Sequence, residues 1–242
     1  MSVPGESRYG PLVHRSVHHG AILWLVGVLQ FIVAMAVAQL MYGPPSYSLS
    51  QNVISDLGNT QCGHWPSATS PVVCSPGYLV FDGSIVVMGL LLILGVLLIP
   101  TAFPARSSRR IGLGLLVVAG IGSIGVGLSP ENVNGTAHLL TALLAFLGSN
   151  LALVVLGLVM FRDTRWDGYR AYSILSGLVG LIALGLYMAG AWHWGGFWAD
   201  WGQGGIERTI VAPVLLWAIL VSVHLIQIPA FAPRLVPKSP AT

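Results

Sequence analysis

The stretch that decides the fold is residues 83–105, GSIVVMGLLLILGVLLIPTAFPA, which contains no charged side chain. A transmembrane helix needs about 20 mostly apolar residues to cross the hydrocarbon core of a bilayer. Further uncharged stretches occur at residues 16–55, 111–130, 132–161, 171–199 and 209–233. Trimmed at Pro, Gly and polar residues, the six stretches predict spans near residues 20–41, 78–99, 111–128, 136–161, 171–191 and 207–228.

The composition supports a membrane protein over a soluble one. Hydrophobic residues make up 55% of the chain and charged residues only 8%, whereas soluble domains carry about 25% charged residues. The net charge of +3 is dispersed along the chain, which argues against nucleic-acid binding. Only helices and closed barrels satisfy their backbone groups in lipid, and no alternating ten-residue pattern indicates a barrel. The sequence therefore predicts an all-α polytopic integral membrane bundle of six transmembrane helices.

The basic residues predict the orientation of this bundle. With six spans both termini lie on one side, and ten of the eleven Lys and Arg residues fall on that side. Arg208 alone falls on the other side. Cytoplasmic loops are enriched in Lys and Arg, so we expect cytoplasmic N and C termini in the cell membrane. The chain then divides into a cytoplasmic segment 1–19, a transmembrane domain 20–228 and a cytoplasmic tail 229–242.

The two cysteines, Cys62 and Cys74, both lie in the loop 42–77, which this orientation makes extracytoplasmic. Disulfides form and persist in oxidising compartments, so the topology favours a bond between these two residues. Two unpaired thiols in a loop are the alternative.

Polar residues are concentrated at the predicted outer ends of the spans. The segment QNVISDLGNT at residues 51–60 follows the first span, and other carboxylates and a histidine stand where later spans begin or end. Ionisable residues near spans usually face a bundle interior or a water-filled cavity, so we predict an outward-facing polar vestibule. Its predicted ligand-binding residues are Asn52, Ser55, Asp56, Asp82, Glu131, His138, Glu207 and Arg208.

Each of these residues also has a purely structural interpretation. Ser55 and Asp56 suit the cap of a loop helix, and Asp82 and Glu207 suit first helical turns, where the helix dipole favours a carboxylate. His138 suits a hydrogen-bonded packing role. Because Arg208 is the only cation predicted on that side, we expect it to contact at least one of the carboxylates.

Motifs for catalysis are missing from the sequence. It contains no phosphate-binding loop, no HExxH, no GxSxG and no CxxCH. No catalytic residue, metal ligand or cofactor is assigned on this basis.

Four segments resemble the prokaryotic membrane protein family catalogued as domain of unknown function 998. They are NVISDLGN after the first span, SPGYLVFDGSIVVMGLLLI entering the second, GLSPENVNGTAHLLTALLAF at the third-to-fourth junction and GIERTIVAPVLLW opening the last. The resemblance covers about residues 20–228. It implies a six-helix fold and no activity, because the function of the family is itself unassigned.

Three functions stay open from the sequence. The first is binding or transport of a small polar solute, an ion or a lipid head group in the vestibule. The second is a structural or accessory subunit of a membrane complex. The third is an intramembrane metal-dependent lipid hydrolase, for which Ser55, Asp56 and His138 offer suitable groups but only His224 stands on a late helix. The expected partners are membrane lipids and no nucleic acid, with a homo-oligomer or a larger complex as open alternatives.

Overall fold

The computed structural model describes residues 11–64, 72–105, 107–161 and 163–227, with only the backbone described at residues 11–14. Residues 1–10 of the predicted N-terminal segment, the whole predicted tail 229–242 and residue 228 of the predicted last span therefore lie outside the described residues. The same holds for half of the basic residues used for the orientation, namely Arg8, Arg106, Arg162, Arg234 and Lys238.

The predicted six-helix class is confirmed. Six helices are long and apolar enough to cross a membrane. They are α1 (Pro11–Leu40), α2 (Tyr78–Leu98), α3 (Ser107–Leu128), α4 (Glu131–Met160), α5 (Tyr169–Met188) and α6 (Phe197–Gln227). No strand occurs among the residues described, where Gly63 and Val73 form one isolated antiparallel bridge.

Two helices contain a break in the helical backbone that the hydropathy did not indicate. Asn134 interrupts α4 near its start, and Gly202 interrupts α6 with a φ of 68°. The part of α6 after Gly202 corresponds to the predicted last span, and the part before it carries aromatic residues such as Trp198 and Trp201. Hydropathy alone misses this first part because Trp is typical of the membrane interface rather than of the hydrocarbon core.

The helices pack in the order of the chain. Each helix contacts the next, and α6 closes the bundle by packing against α1. A smaller contact joins α4 to α6, where the Asn150 Nδ2 atom donates a 3.3 Å hydrogen bond to the Ile210 carbonyl. Helix α5 therefore packs outside α4 and α6, and the other five helices enclose the interior.

The two ends of the bundle differ in their connections. We call the end that carries residues 41–64 and 72–77 the loop end, and the end that carries residues 99–105 and 163–168 the aromatic end. At the aromatic end Phe103 stacks on Trp166 with ring centroids 5.0 Å apart, and His224 packs on the same indole ring.

The predicted disulfide is present at the loop end, where Cys62 is bonded to Cys74. Beside it the Gly43 N–H donates a 2.9 Å hydrogen bond to the Cys74 carbonyl. This contact ties the end of α1 to the segment that leads into α2.

Candidate functional site

Residues 47–60 fold back into the loop end of the bundle instead of extending into solvent. Residues Ile54–Gly58 form a short 3-10 turn whose Ile54, Asp56 and Leu57 are buried. Backbone groups buried in a membrane protein need partners within the protein. Side chains supply them here: the Tyr47 hydroxyl donates to the Val53 carbonyl at 2.8 Å, and the Ser75 hydroxyl donates to the Leu57 carbonyl at 2.7 Å.

Two glycines of α6 let this segment approach the helix closely. A Cβ atom at Gly202 would lie 2.2 Å from the Ser50 carbonyl oxygen, and one at Gly204 would lie 2.1 Å from the Asn52 carbonyl oxygen. The Gly205 N–H donates a 3.1 Å hydrogen bond to Ser50. The sequence GQGG at residues 202–205 therefore allows the backbone of the folded-back segment to pack directly against α6.

Asn52 and Asp56 form the buried centre of the segment. The Asn52 side chain accepts a hydrogen bond from the Ser48 N–H at 3.0 Å and donates to Asp56 Oδ2 at 2.7 Å. The other oxygen, Oδ1, has no hydrogen-bond partner among the described residues. Burial raises the pKa of Asp56 to about 8, with the Asn52 hydrogen bond opposing the shift and the neighbouring Glu131 carboxylate adding to it. Asp56 therefore binds a proton readily near neutral pH. No side-chain hydrogen bond caps the 3-10 turn.

Glu131 joins the turn to the start of α4. Its two oxygens accept hydrogen bonds from the Ser55 hydroxyl at 3.0 Å and from the Asn59 amide at 3.1 Å. One residue further on, Asn132 accepts from the Thr60 N–H at 3.1 Å and donates to the Thr60 hydroxyl at 3.0 Å. Three of the predicted site residues, Ser55, Asp56 and Glu131, are thus brought together.

Glu207 and Arg208 bind the same segment, but the predicted ion pair between Arg208 and a carboxylate is wrong. Glu207 accepts a short hydrogen bond from the Ile54 N–H. Arg208 donates to the Asn52 carbonyl at 2.8 Å and to the Tyr47 hydroxyl at 2.5 Å, and its guanidinium lies 5.3 Å from the Tyr47 ring centroid. In the described part of the chain, the oxygens closest to this guanidinium are the carbonyl and hydroxyl oxygens of the folded-back segment, and the carboxylates lie further away.

Salt bridges occur instead at the other end of the bundle. The ion pairs found in the described part of the chain are Arg165 with Asp163 at 2.5 Å and Arg170 with Asp167 at 3.1 Å. The Arg165 side chain lowers the pKa of Asp163 through its hydrogen bonds.

Asp82 and His138 lie near the cluster without joining its hydrogen bonds. The Asp82 carboxyl packs beneath Gly58 and has no hydrogen-bond partner among the residues described. Asp82 is the fifth residue of α2 and Glu207 is the fifth residue after the break at Gly202, so both lie just beyond a first helical turn. His138 Nδ1 lies 2.9 Å from the Ser129 carbonyl oxygen, and its side chain lines the interior cavity.

A cavity of about 120 Å³ lies directly beneath the folded-back segment. Its wall comes from all helices except α5 and from Ile54 and Ser55 of the turn. Most of the lining side chains are apolar. The polar ones are Ser55, Ser123, His138, Ser149 and Glu207.

The polar groups available to a ligand are confined to one end of this cavity. Ser123 and Ser149 donate their hydroxyls to carbonyls of their own helices, at 3.0 and 2.7 Å. Ser55, His138 and Glu207 all stand at the loop end, whereas Trp24 and Trp217, with ring centroids 5.8 Å apart, form an apolar floor. At 1.5 Å per residue the distance from Glu207 to Trp217 along α6 is about 15 Å. That depth is about half of a hydrocarbon core.

Sequence reasoning missed Tyr47 and Asn59, which hold Arg208 and Glu131 in place. Asn59 follows Ser55 by four residues in the segment already singled out, so helical spacing was the available signal. No sequence signal pointed to Tyr47, because its contact with Arg208 joins residues 161 positions apart. For a metal, the described residues offer no group of three His, Cys, Asp or Glu side chains suitably placed.

Comparison with known proteins gives the chain a family and no activity. A sequence model described as "Protein of unknown function (DUF998)" matches residues 25–224, which is most of the chain. No curated protein and no solved structure matches it. The chain belongs to this family of unknown function, as the four segments of its sequence predicted.

Proposed function

We propose that this DUF998 family member binds a lipid-like amphiphile inside its bundle. The polar head would lie at Ser55, His138 and Glu207, and the first carbon atoms of the apolar chain would occupy the cavity of about 120 Å³ below. The observation that carries this proposal is the asymmetry of the cavity, which has free polar groups at the loop end and apolar walls down to Trp24 and Trp217.

In a membrane, the head group and the packing of the chain decide how tightly such a ligand binds. Moving an alkyl chain from the bilayer into an apolar cavity gains little hydrophobic free energy, because lipid tails are already apolar. Affinity therefore depends on the head group and on packing in the cavity. Ser55 and Glu207 are held by hydrogen bonds to Glu131 and to the Ile54 N–H, so they are positioned before any ligand arrives.

The same proposal places the loop end outside the cell membrane and both termini in the cytoplasm. The distribution of Lys and Arg and the disulfide between Cys62 and Cys74 support this orientation. A membrane-impermeant thiol reagent applied to intact cells should label Ser46→Cys at the loop end and spare Ser107→Cys at the start of α3. The reverse labelling pattern would place the polar groups on the cytoplasmic side and would refute the orientation.

Fluorescence quenching tests the binding itself. A short-chain alcohol brominated at its chain end should quench Trp24 and Trp217 when it fills the cavity of protein held in lipid nanodiscs. Ala142 lines the cavity, so Ala142→Phe should reduce the saturable part of the quenching. Ala36 lies on the exposed face of α1, so Ala36→Phe should leave it unchanged.

The outcome separates binding from a purely structural role. Equal quenching in wild type, Ala142→Phe and Ala36→Phe, with helix content preserved, would refute the cavity as a binding site. It would favour the alternative of an accessory subunit.

A further inference from the structure

We infer that the head group bound at the loop end is a primary ammonium, with Glu207 as its counter-ion. The inference rests on the proposed function, because it names the class of amphiphile that the same cavity would take.

Glu207 is a buried carboxylate with one oxygen left for a ligand. The residue is 6% exposed and lines the cavity. One oxygen accepts the hydrogen bond from the Ile54 N–H, and no described residue donates to the other oxygen. An ionisable residue within a membrane span is costly unless it finds a partner, which marks Glu207 as part of a functional site.

Among the described residues, Arg208 is the cation whose charge acts on Glu207, but it forms no ion pair with this carboxylate. No Lys or Arg is among the residues that line the cavity. The neighbouring Arg208 directs its guanidinium to Asn52, Gly204 and Tyr47, on the side of the folded-back segment. An anionic head group would lie next to the carboxylate of Glu207, with the carboxylate of Glu131 nearby. Repulsion between like charges would therefore exclude an anionic head group.

The two other polar groups at this end are also acceptors. The Ser55 hydroxyl donates its proton to Glu131, so only its lone pairs are left for a ligand. His138 approaches the Ser129 carbonyl with Nδ1, which places the hydrogen on that nitrogen. In the neutral ring Nε2 is then an acceptor, and no described residue hydrogen-bonds to it.

Three acceptors and no donor match a group that carries several N–H bonds and a positive charge. A primary ammonium has three N–H donors, as many as there are acceptors at this end of the cavity. A quaternary ammonium would keep the charge and lose the hydrogen bonds. An alcohol would keep one donor and lose the charge.

Competition experiments in nanodiscs of zwitterionic lipid test this assignment. Dodecylamine, dodecanol, dodecanoate and dodecyltrimethylammonium are compared for displacement of the brominated alcohol near neutral pH. We expect dodecylamine to displace the probe at a concentration about tenfold lower than dodecanol, because the alcohol cannot form the charged hydrogen bond to Glu207. The trimethylammonium compound should fall between them, and dodecanoate should be the weakest.

Two variants on α6 separate the role of Glu207 from general surface charge. Glu207→Gln keeps an acceptor for the Ile54 N–H and removes the charge, so the advantage of the amine over the alcohol should disappear. Asp200→Asn removes a carboxylate from the exposed start of the same helix and should leave that advantage intact. If Glu207→Gln does not fold, Ser55→Ala serves instead. This substitution should weaken the binding of dodecylamine more than the binding of the trimethylammonium compound.

The outcomes distinguish this inference from the proposed function. Displacement by dodecylamine and dodecanol at equal concentrations, or an unchanged amine preference in Glu207→Gln, would refute the ammonium assignment and leave amphiphile binding standing. Failure of every compound to displace the probe, together with no saturable quenching, would refute both.

Discussion

The loop end and the aromatic end of the bundle are closed by different kinds of contact. At the loop end Asn52, Asp56, Glu131 and Glu207 hold a folded-back segment through hydrogen bonds, and most of these side chains are buried. At the aromatic end a cluster of rings around Trp166 closes the bundle. The charged pairs of that end, such as Arg165 with Asp163, are partly exposed.

The difference follows from what each end must bury. The loop end buries non-helical backbone, whose N–H and C=O groups need polar partners. The aromatic end has shorter connections, so fewer backbone groups need partners there. The Arg109 side chain donates to the carbonyl of the buried Phe103 at 3.2 Å, and the rings around Trp166 fill the space. The loop end therefore holds fixed polar side chains around its folded-back segment, whereas the aromatic end is closed mainly by packing between rings. Four predictions test this contrast.

The largest effect is expected at the aromatic end from Trp166→Ala. The indole is 1% exposed and stacks on Phe103, so its removal should lower the free energy of unfolding by about 4 kcal/mol. Denaturation in mixed detergent micelles measures the change. Trp194 is 57% exposed, and Trp194→Ala should have little effect. The Trp166 N–H has no hydrogen-bond partner among the described residues, so Trp166→Phe should retain most of the stability. An equal loss in both alanine variants would contradict the packing role.

Arg208→Ala should have the largest effect of a charged residue, about 2 kcal/mol, although no carboxylate is its partner. It leaves the Asn52 carbonyl and the Tyr47 hydroxyl without their donor. Arg170 at the aromatic end forms a partly exposed pair with Asp167, so Arg170→Ala should cost less than about 1 kcal/mol. The same denaturation assay compares them, and a larger loss for Arg170→Ala would reverse the proposed contrast between the ends.

A pH-dependent effect is expected from Asp56. Because burial raises its folded-state pKa to about 8, the folded protein binds a proton there that the unfolded chain has released. Asp56 therefore contributes stability that is complete below about pH 4 and is lost as the pH rises through about 8. The melting temperature should fall progressively as the pH rises from about 5 to about 8. In Asp56→Asn this part of the pH dependence should vanish, and an unchanged slope would show that Asp56 does not titrate in this way.

The smallest effect is expected from Asp163→Asn at the aromatic end. The Arg165 side chain in this pair is 43% exposed, and solvent screens such contacts, so the loss should be about 0.5 kcal/mol or less. Thermal unfolding at low and high salt measures it. A loss as large as that of Arg208→Ala would mean that ion pairs, and not rings, hold the aromatic end together.

The sequence predicted which polar residues lie close together better than it predicted their contacts. Ser55, Asp56, Glu131 and Glu207 were selected because they carry polar groups at one depth, and the structure places them around one segment. The pairing of Arg208 was wrong because it was inferred from charge. A guanidinium takes whichever acceptors the fold brings nearest, and here these are backbone and hydroxyl oxygens.

The sequence by itself determined the class of the protein, the number of its spans and its disulfide. These features follow from local properties of the sequence. About 20 apolar residues suffice to cross a bilayer, and each of two cysteines in one loop has the other as its possible disulfide partner. The apolar cavity beneath the polar cluster was decided by the tertiary structure alone. Its wall joins residues from Trp24 to Ala218, and the inward fold of residues 47–60 depends on close contact with Gly202 and Gly204. Hydropathy reports how apolar a helix is, but packing between distant helices decides which apolar faces meet and which leave space for a ligand.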